Sequence, residues 1–382
     1  MALSEGVTHA LPNAHGEASM NALQAELIAM IRSEGPIGID RFMALALGHP
    51  RHGYYMTRDP FGLQGDFVTA PEISQIFGEL LGLLAAMTWQ AMGEPRRVAL
   101  VELGPGRGTL MADALRAAKA LPGFVDVLEV HLVETSPVLR KAQGTTLAAS
   151  GHQPRWHLSI DELPTDLPLI VLANEFFDAL PVRQFVRMNE GWHEKLIGAD
   201  DQDRLMFGLS PEAATAITFP GPDGAIFETC PIGLDIMRRL AERICKQGGM
   251  ALAIDYGHAR SGFGDTLQAV RRHQFSPVLE APGEADITTH VDFATLAIAA
   301  KRGGASVHPL LTQASLLDRL GIKHRAEILK RKAENPRAID VAVERLAGTG
   351  ETAMGKLFKA LAITHPDLAP PAGFDSPDPN LE

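Results

Sequence analysis

The stretch LVELGPGRGTL, residues 100–110, constrains this chain more than any other. An apolar run ends in Glu102, and Gly104, Gly106 and Gly108 then fall at every second position. Glycine at that density marks backbone that turns tightly and lets another group come close. The run before it, RVALVEL, reads as a buried strand, and the spacing from Thr109 to Ala120 predicts a helix. In a parallel sheet, such a strand–turn–helix unit puts its turn at the carboxyl ends of the strands, where ligands bind.

The middle of the chain repeats this rhythm. VLEVHLVE (127–134) is a second strand, and Ser136 and Pro137 supply the N-cap and first residue of the next helix. PLIVLANEFF carries a buried strand up to Asn174, IGLDIMRRLAERICKQGG a helix stopped by Gly248, and MALAIDYG a further buried strand. Near-continuous apolar strands alternating with helices predict an α/β fold built on a doubly wound, Rossmann-like sheet. Two segments break the pattern. Residues 19–92 read as a helical cap and lid, and residues from about 183 to 225 as an antiparallel insertion in a 93–365 domain. Residues 1–18 and the Pro-rich 366–382 are expected to be disordered.

Loop spacing selects the ligand. A phosphate loop needs GxxxxGK[ST], which is absent, and the dinucleotide fingerprint GxGxxG is replaced by GxGxG. With no diphosphate to cradle, the loop suits a nucleoside with an amino-acid tail, S-adenosylmethionine (SAM). Glu134 closes the second strand, where a carboxylate can accept both ribose hydroxyls. An NAD-dependent oxidoreductase would use the same acid, and only the glycine spacing disfavours it. Asp161 stands where a third strand offers an adenine contact, or is a turn aspartate.

Asn174 and Glu175 end the fourth strand, beside the place of a sulfonium methyl. If EFFDAL opens a helix, Glu175 and Asp178 share a face and can hold a guanidinium in bidentate fashion. They would orient its nitrogen rather than deprotonate it, because its pKa exceeds about 12. Phe176 or Phe177 can support the cation with a ring face, or both belong to the core. In DITTHVDF (286–293), His290 is a candidate general base between Asp286 and Asp292. Alternatively Asp286 or Thr288 caps a helix starting near Val291.

Four segments together resemble the MidA-like methyltransferase family: GDFVTAPEISQIFGEL (65–80), VELGPGRGTL, NEFFDALPV and DITTHVDF. LLTQASLLDRLGI (310–322) and MGKLFKALAI (354–363) extend the resemblance over most of the chain. It implies a SAM-dependent methyltransferase on a seven-strand sheet that releases S-adenosylhomocysteine. The family's mitochondrial members are complex I assembly-factor arginine methyltransferases, so a protein substrate, such as a core subunit of NADH:quinone oxidoreductase, is implied. Carried over by position, Glu102, Gly104, Gly106 and Gly108 belong to the methionine side and Glu134 to the ribose. Gly65, Asp66 and Thr69 close over the cofactor, and Asn174 and Glu175 face the methyl.

Transfer from a sulfonium rests mainly on proximity and orientation, and a lid that excludes water prevents wasteful hydrolysis. HPRHGYYMTRDPFGLQGDF (49–67) is the candidate lid, with Tyr54 and Tyr55 either touching the substrate or anchoring the loop. A net charge of −11, from 35 basic and 46 acidic residues, disfavours nucleic-acid and anionic-membrane partners. That ranks low a base amino-methyltransferase, of which NEFF is a loose echo without its prolines. A non-catalytic assembly chaperone with a retained SAM pocket is the other rival. Cys230 and Cys245 form no CxxC pair, and none of the fourteen histidines stands in HExxH or another ligand pattern, so no metal is expected. The apolar run 80–89 is too short to span a bilayer, which takes about 20 residues. With no signal or transit pattern at the start, a cytoplasmic location is expected.

Overall fold

The computed structural model describes residues 20–58, 69–121, 123–189, 191–350 and 353–381. Its centre is a twisted sheet of β1 (Val98–Leu103), β2 (Leu128–Val133), β3 (Arg155–His157), β4 (Leu169–Asn174), β5 (Gly249–His258), β6 (Ser306–Val307) and β7 (Phe358–Thr364). Their order across the sheet is β3–β2–β1–β4–β5–β7–β6. The first five strands are mutually parallel, and β7 runs antiparallel between β5 and β6. The order in which strands are added across the sheet reverses between β1 and β4, which opens a crevice at their carboxyl ends.

All six residues of β1 are buried, because helices cover both faces of the sheet. Val98 and Leu100 point to one side, where Gln75–Ala91 and Thr109–Ala118 pack. Ala99 and Val101 point to the other, against Pro231–Gln247 and Phe293–Arg302. Gln75–Ala91 therefore belongs to the sheet's own helical layer rather than to the cap expected over 19–92. Glycine permits its close approach: a Cβ at Gly82 would lie 2.4 Å from the Ala114 carbonyl oxygen.

The insertion consists of Arg183–Met188, Gly191–Ala199, Leu205–Ala213 and Ile226–Thr229, so it runs past residue 225. Ile37–Gly38 joins its sheet by pairing with Gly191–Ala199. Helices Ala22–Glu34 and Ile39–Gly48 then share one apolar core with it, made by Leu27, Ile39, Phe42, Val182, Ile197 and Ile287. Cap and insertion are one unit, seated over the carboxyl end of the central sheet.

The C-terminal segment is ordered, contrary to the expectation of a disordered tail. Phe374 is fully buried, and the Asp378 carboxylate accepts bonds from the Thr312 N–H at 2.7 Å and hydroxyl at 2.8 Å. Arg319 donates to the carbonyls of Gly373, Ser376 and Pro377. Its prolines shape turns that deliver one aromatic plug and one cap, which composition does not reveal. Residues 1–18 lie outside the described residues. Among the described residues, no helix is long and apolar enough to cross a membrane.

Candidate active site

A cavity of about 610 Å³ lies in the crevice at the carboxyl ends of β1, β2, β4 and β5. Gly104, Gly106, Glu134, Glu175, Asp178 and Tyr256 line its floor, and Met43, Leu47, Tyr55 and Thr69 bring the cap over it. Gly104 and Gly106 hold φ of 61° and 51°, a left-handed conformation in which side chains are strained. A Cβ on Gly104 would also stand 3.0 Å from the Phe176 ring. Gly108 does not reach the cavity lining; it is the N-cap of Thr109–Ala118 and packs on Gln143.

Glu134, just past the end of β2, is buried and tightly held. Its Oε1 accepts the Ser136 N–H at 2.7 Å, and its Oε2 accepts Gln143 Nε2 at 3.1 Å. The same Nε2 donates to the Gly106 carbonyl at 2.8 Å, while Gln143 Oε1 accepts Trp156 Nε1 at 2.8 Å. Gln143 thus locks the glycine loop to the strand-end acid. Sequence reading missed it, since a glutamine inside a helix carries no signal of its own. Burial raises the Glu134 pKa, against the opposing bonds from Ser136 and Gln143.

Beyond β4 the EFFDAL segment does not open a helix. Glu175 adopts a left-handed φ of 50°, and the N–H groups of Phe176, Phe177 and Asp178 all donate to Asp255 Oδ2, at 3.2, 3.0 and 3.2 Å. Three successive N–H groups aimed at one carboxylate make a turn in place of a helical ladder. The sequence places Asp255 only within the apolar strand MALAIDYG, β5. Its signal was the one that exposed Glu134 and Glu175, an acid near a strand's carboxyl end.

Glu175 and Asp178 nevertheless meet in the cavity. Glu175 Oε1 accepts the Ala70 N–H at 3.2 Å and Asn174 Nδ2 at 3.1 Å. Burial, then the charge of Asp178, pushes Glu175 up to about 8. Burial likewise pushes Asp178 up to about 6, with the Tyr256 hydroxyl opposing. Asp178 Oδ1 and Asn174 Oδ1 are buried without a hydrogen-bond partner among the described residues. Asp286 is a third carboxylate on the wall, its Oδ1 accepting the Tyr55 hydroxyl at 2.7 Å. Tyr55 thus reaches the site, whereas Tyr54 is fully buried and anchors the loop. Phe176 lines the cavity, and Phe177 belongs to the core.

Other candidates lie elsewhere. Glu102 is buried at the end of β1 and stays outside the cavity lining, and burial pushes its carboxyl well up against the opposing Met111 N–H. Asp161 pairs with Arg239 at the cavity edge, while its neighbours Ser159 and Ile160 line the wall. His290 is directed away. It lines a separate cavity of about 320 Å³ with His258 and Asp292, its ring edge-on to Tyr256 at 5.4 Å. Burial lowers its pKa. The adjoining helix is capped by Asp292, which accepts the Thr295 N–H at 3.0 Å, rather than by Asp286 or Thr288. The helix starts at Phe293, directly after Asp292, so Asp292 is the residue in reach of the Thr295 N–H, and Asp286 is left to the cavity. Gly65 and Asp66 lie outside the described residues, and Thr69 lines the cavity.

Residues 80–310 match Methyltransf_28, a family of S-adenosyl-L-methionine-dependent methyltransferases. The chain belongs to that family.

Among its relatives is the mitochondrial protein arginine methyltransferase NDUFAF7 of Xenopus tropicalis, 36% identical over 93% of this chain and 90% of the relative. The Homo sapiens protein of that name is 37% identical over 85% and 79%. A COG1565-superfamily protein from Burkholderia thailandensis, crystallised with S-adenosyl-homocysteine, superposes with a TM-score of 0.79 at 29% identity, covering 93% of each chain. This methyltransferase uses SAM as its methyl donor. Its residues fit that cofactor: two left-handed glycines open the backbone at the cavity, and a buried acid stands at the end of the next strand.

Proposed function

We propose that this methyltransferase methylates an arginine side chain of a protein substrate. The observation that carries the reading is the convergence of Glu175, Asp178 and Asp286 in one buried cavity at the strand ends. Three acids so close cannot all ionise there unless a cation joins them, and a planar guanidinium bonds carboxylates in pairs. Relatives named protein arginine methyltransferases support the same substrate.

SAM, when bound, supplies a methyl on a sulfonium already activated for displacement. Glu134 would hold the ribose, the backbone at Gly104 and Gly106 would pass the methionine tail, and Thr69 would close over it. Glu102 and Gly108 act through the shape of the loop. Glu175 and Asp178 orient the guanidinium, Asn174 supports Glu175, and the Phe176 ring face helps hold the cation. With Oε1 engaged by Ala70 and Asn174, Glu175 Oε2 takes the proton that the alkylated nitrogen sheds. The substrate we favour is a core subunit of a respiratory NADH:quinone oxidoreductase, met in the cytoplasm. The acidic cavity is unsuited to nucleic-acid phosphate.

The test is transfer of a labelled methyl from SAM into extract of a host lacking this gene, sorted by protease and nuclease sensitivity. Label recovered as methylarginine in one protein supports the proposal. Label in nucleic acid, or cofactor binding without enzyme-dependent label, overturns it.

A further inference from the structure

Away from the catalytic cavity, Glu26, His49 and His52 bring one potential ligand atom each into a single cluster. Glu26 lies on the Ala22–Glu34 helix, whereas His49 follows the Ile39–Gly48 helix and His52 stands in the turn before Tyr54. His49 Nε2 lies 3.2 Å from Glu26 Oε2, and His52 Nε2 lies 3.4 Å from Glu26 Oε1. The two imidazole planes lie within 7° of parallel, with ring centres 5.2 Å apart. All three ligand atoms fall within 4.8 Å of one another.

Both nitrogen–oxygen separations are those of neighbouring ligands in a coordination shell. Zinc takes imidazole nitrogen and carboxylate oxygen at about 2.0–2.2 Å, which puts tetrahedral neighbours about 3.3–3.5 Å apart. Two imidazoles and one carboxylate with an open fourth position form a recurrent zinc set. Arg51 already pairs with Glu26 Oε1 at 2.9 Å, but its side chain is 73% exposed. An exposed pair of that kind contributes little, so the guanidinium can move into water. The long 3.4 Å contact from the Arg51 N–H to His49 Nδ1 would also be given up, since a neutral imidazole ligating through Nε2 carries its proton on Nδ1.

We infer that Glu26, His49 and His52 form a zinc site that ties the first cap helix to the loop carrying Tyr55 over the cavity. Sequence spacing could not reveal it, because the carboxylate comes from a different helix. The consequence would be structural. The loop already binds to the site, the Ser136 hydroxyl donating to the Tyr55 carbonyl at 2.6 Å. A metal at its base would hold Tyr55 and Met56 in place.

The test uses the full chain without an affinity tag, freed of metal by EDTA and dialysed against Zn²⁺ or Co²⁺. We expect one equivalent bound at micromolar concentration or below, visible absorption bands of tetrahedral Co²⁺, and a Tm raised by a few degrees with zinc. Glu26→Ala and His52→Ala should each weaken metal binding at least tenfold. S-adenosylhomocysteine affinity in EDTA, unchanged in both variants, would show that they fold. Failure of the wild type to bind an equivalent, or undiminished binding in both folded variants, would overturn the inference. Neither outcome bears on arginine as the substrate.

Discussion

Gly106 turns through a left-handed φ of 51° while facing the cavity. A β-branched residue would be strained there and would fill the space the methionine tail needs. Gly106→Val should therefore abolish S-adenosylhomocysteine binding by calorimetry, and retained affinity would contradict the placement of the cofactor. The paired acids give a pH signature. Glu175 at about 8 and Asp178 at about 6 keep protons in the folded chain that the unfolded chain, near pH 4, has lost. Their contribution to stability is complete below about pH 4 and lost as pH rises through about 6 to 8. Thermal unfolding of the ligand-free protein should show Tm falling over that window, and less so in Glu175→Gln. At this scale the sequence was legible where residue type and strand position sufficed, as for Glu134 and Glu175. It was not legible for Gln143 or Asp286, whose roles depend on neighbours distant along the chain.

The turn after β4 shows why elements are harder to read than strands. EFFDAL has the composition of a first helical turn, but Asp255, 79 residues beyond Phe176, captures its N–H groups first. No local propensity encodes that competition. Asp255→Ala would leave three buried or half-buried donors without their acceptor, at about 1–3 kcal/mol for each unsatisfied group. Urea denaturation should show a stability loss of that order or more, and transfer should fall with it. A variant with wild-type stability would contradict this account of the turn. The apolar strands and the Ser136–Pro137 helix start were legible, because burial and capping are written locally. For His290 the local pattern leaves catalysis and a helix-cap setting both open, and the backbone sends its ring to a different cavity.

Across the whole molecule, the alternation of buried strands and helices was enough to read a doubly wound sheet with its site at the strand ends. Composition misled at the C-terminus, where Phe374 and Asp378 pin a Pro-rich segment to the body. Phe374→Ala should cost about 3–5 kcal/mol, as removal of a fully buried aromatic does, and a change below 1 kcal/mol in urea unfolding would contradict that packing. The shared core of cap and insertion was equally hidden, because Ile37 and Ile197 meet only in three dimensions. That unit brings Tyr55 to Asp286 on the cavity wall, so the cap and the strand ends of the central sheet both line one cavity. The most direct measurement is the rate of methyl transfer to the mapped arginine by Glu175→Gln at saturating SAM. The account predicts a loss of at least about 100-fold in rate with S-adenosylhomocysteine affinity unchanged. Transfer within a few-fold of wild type would contradict the guanidinium clamp on which the account rests.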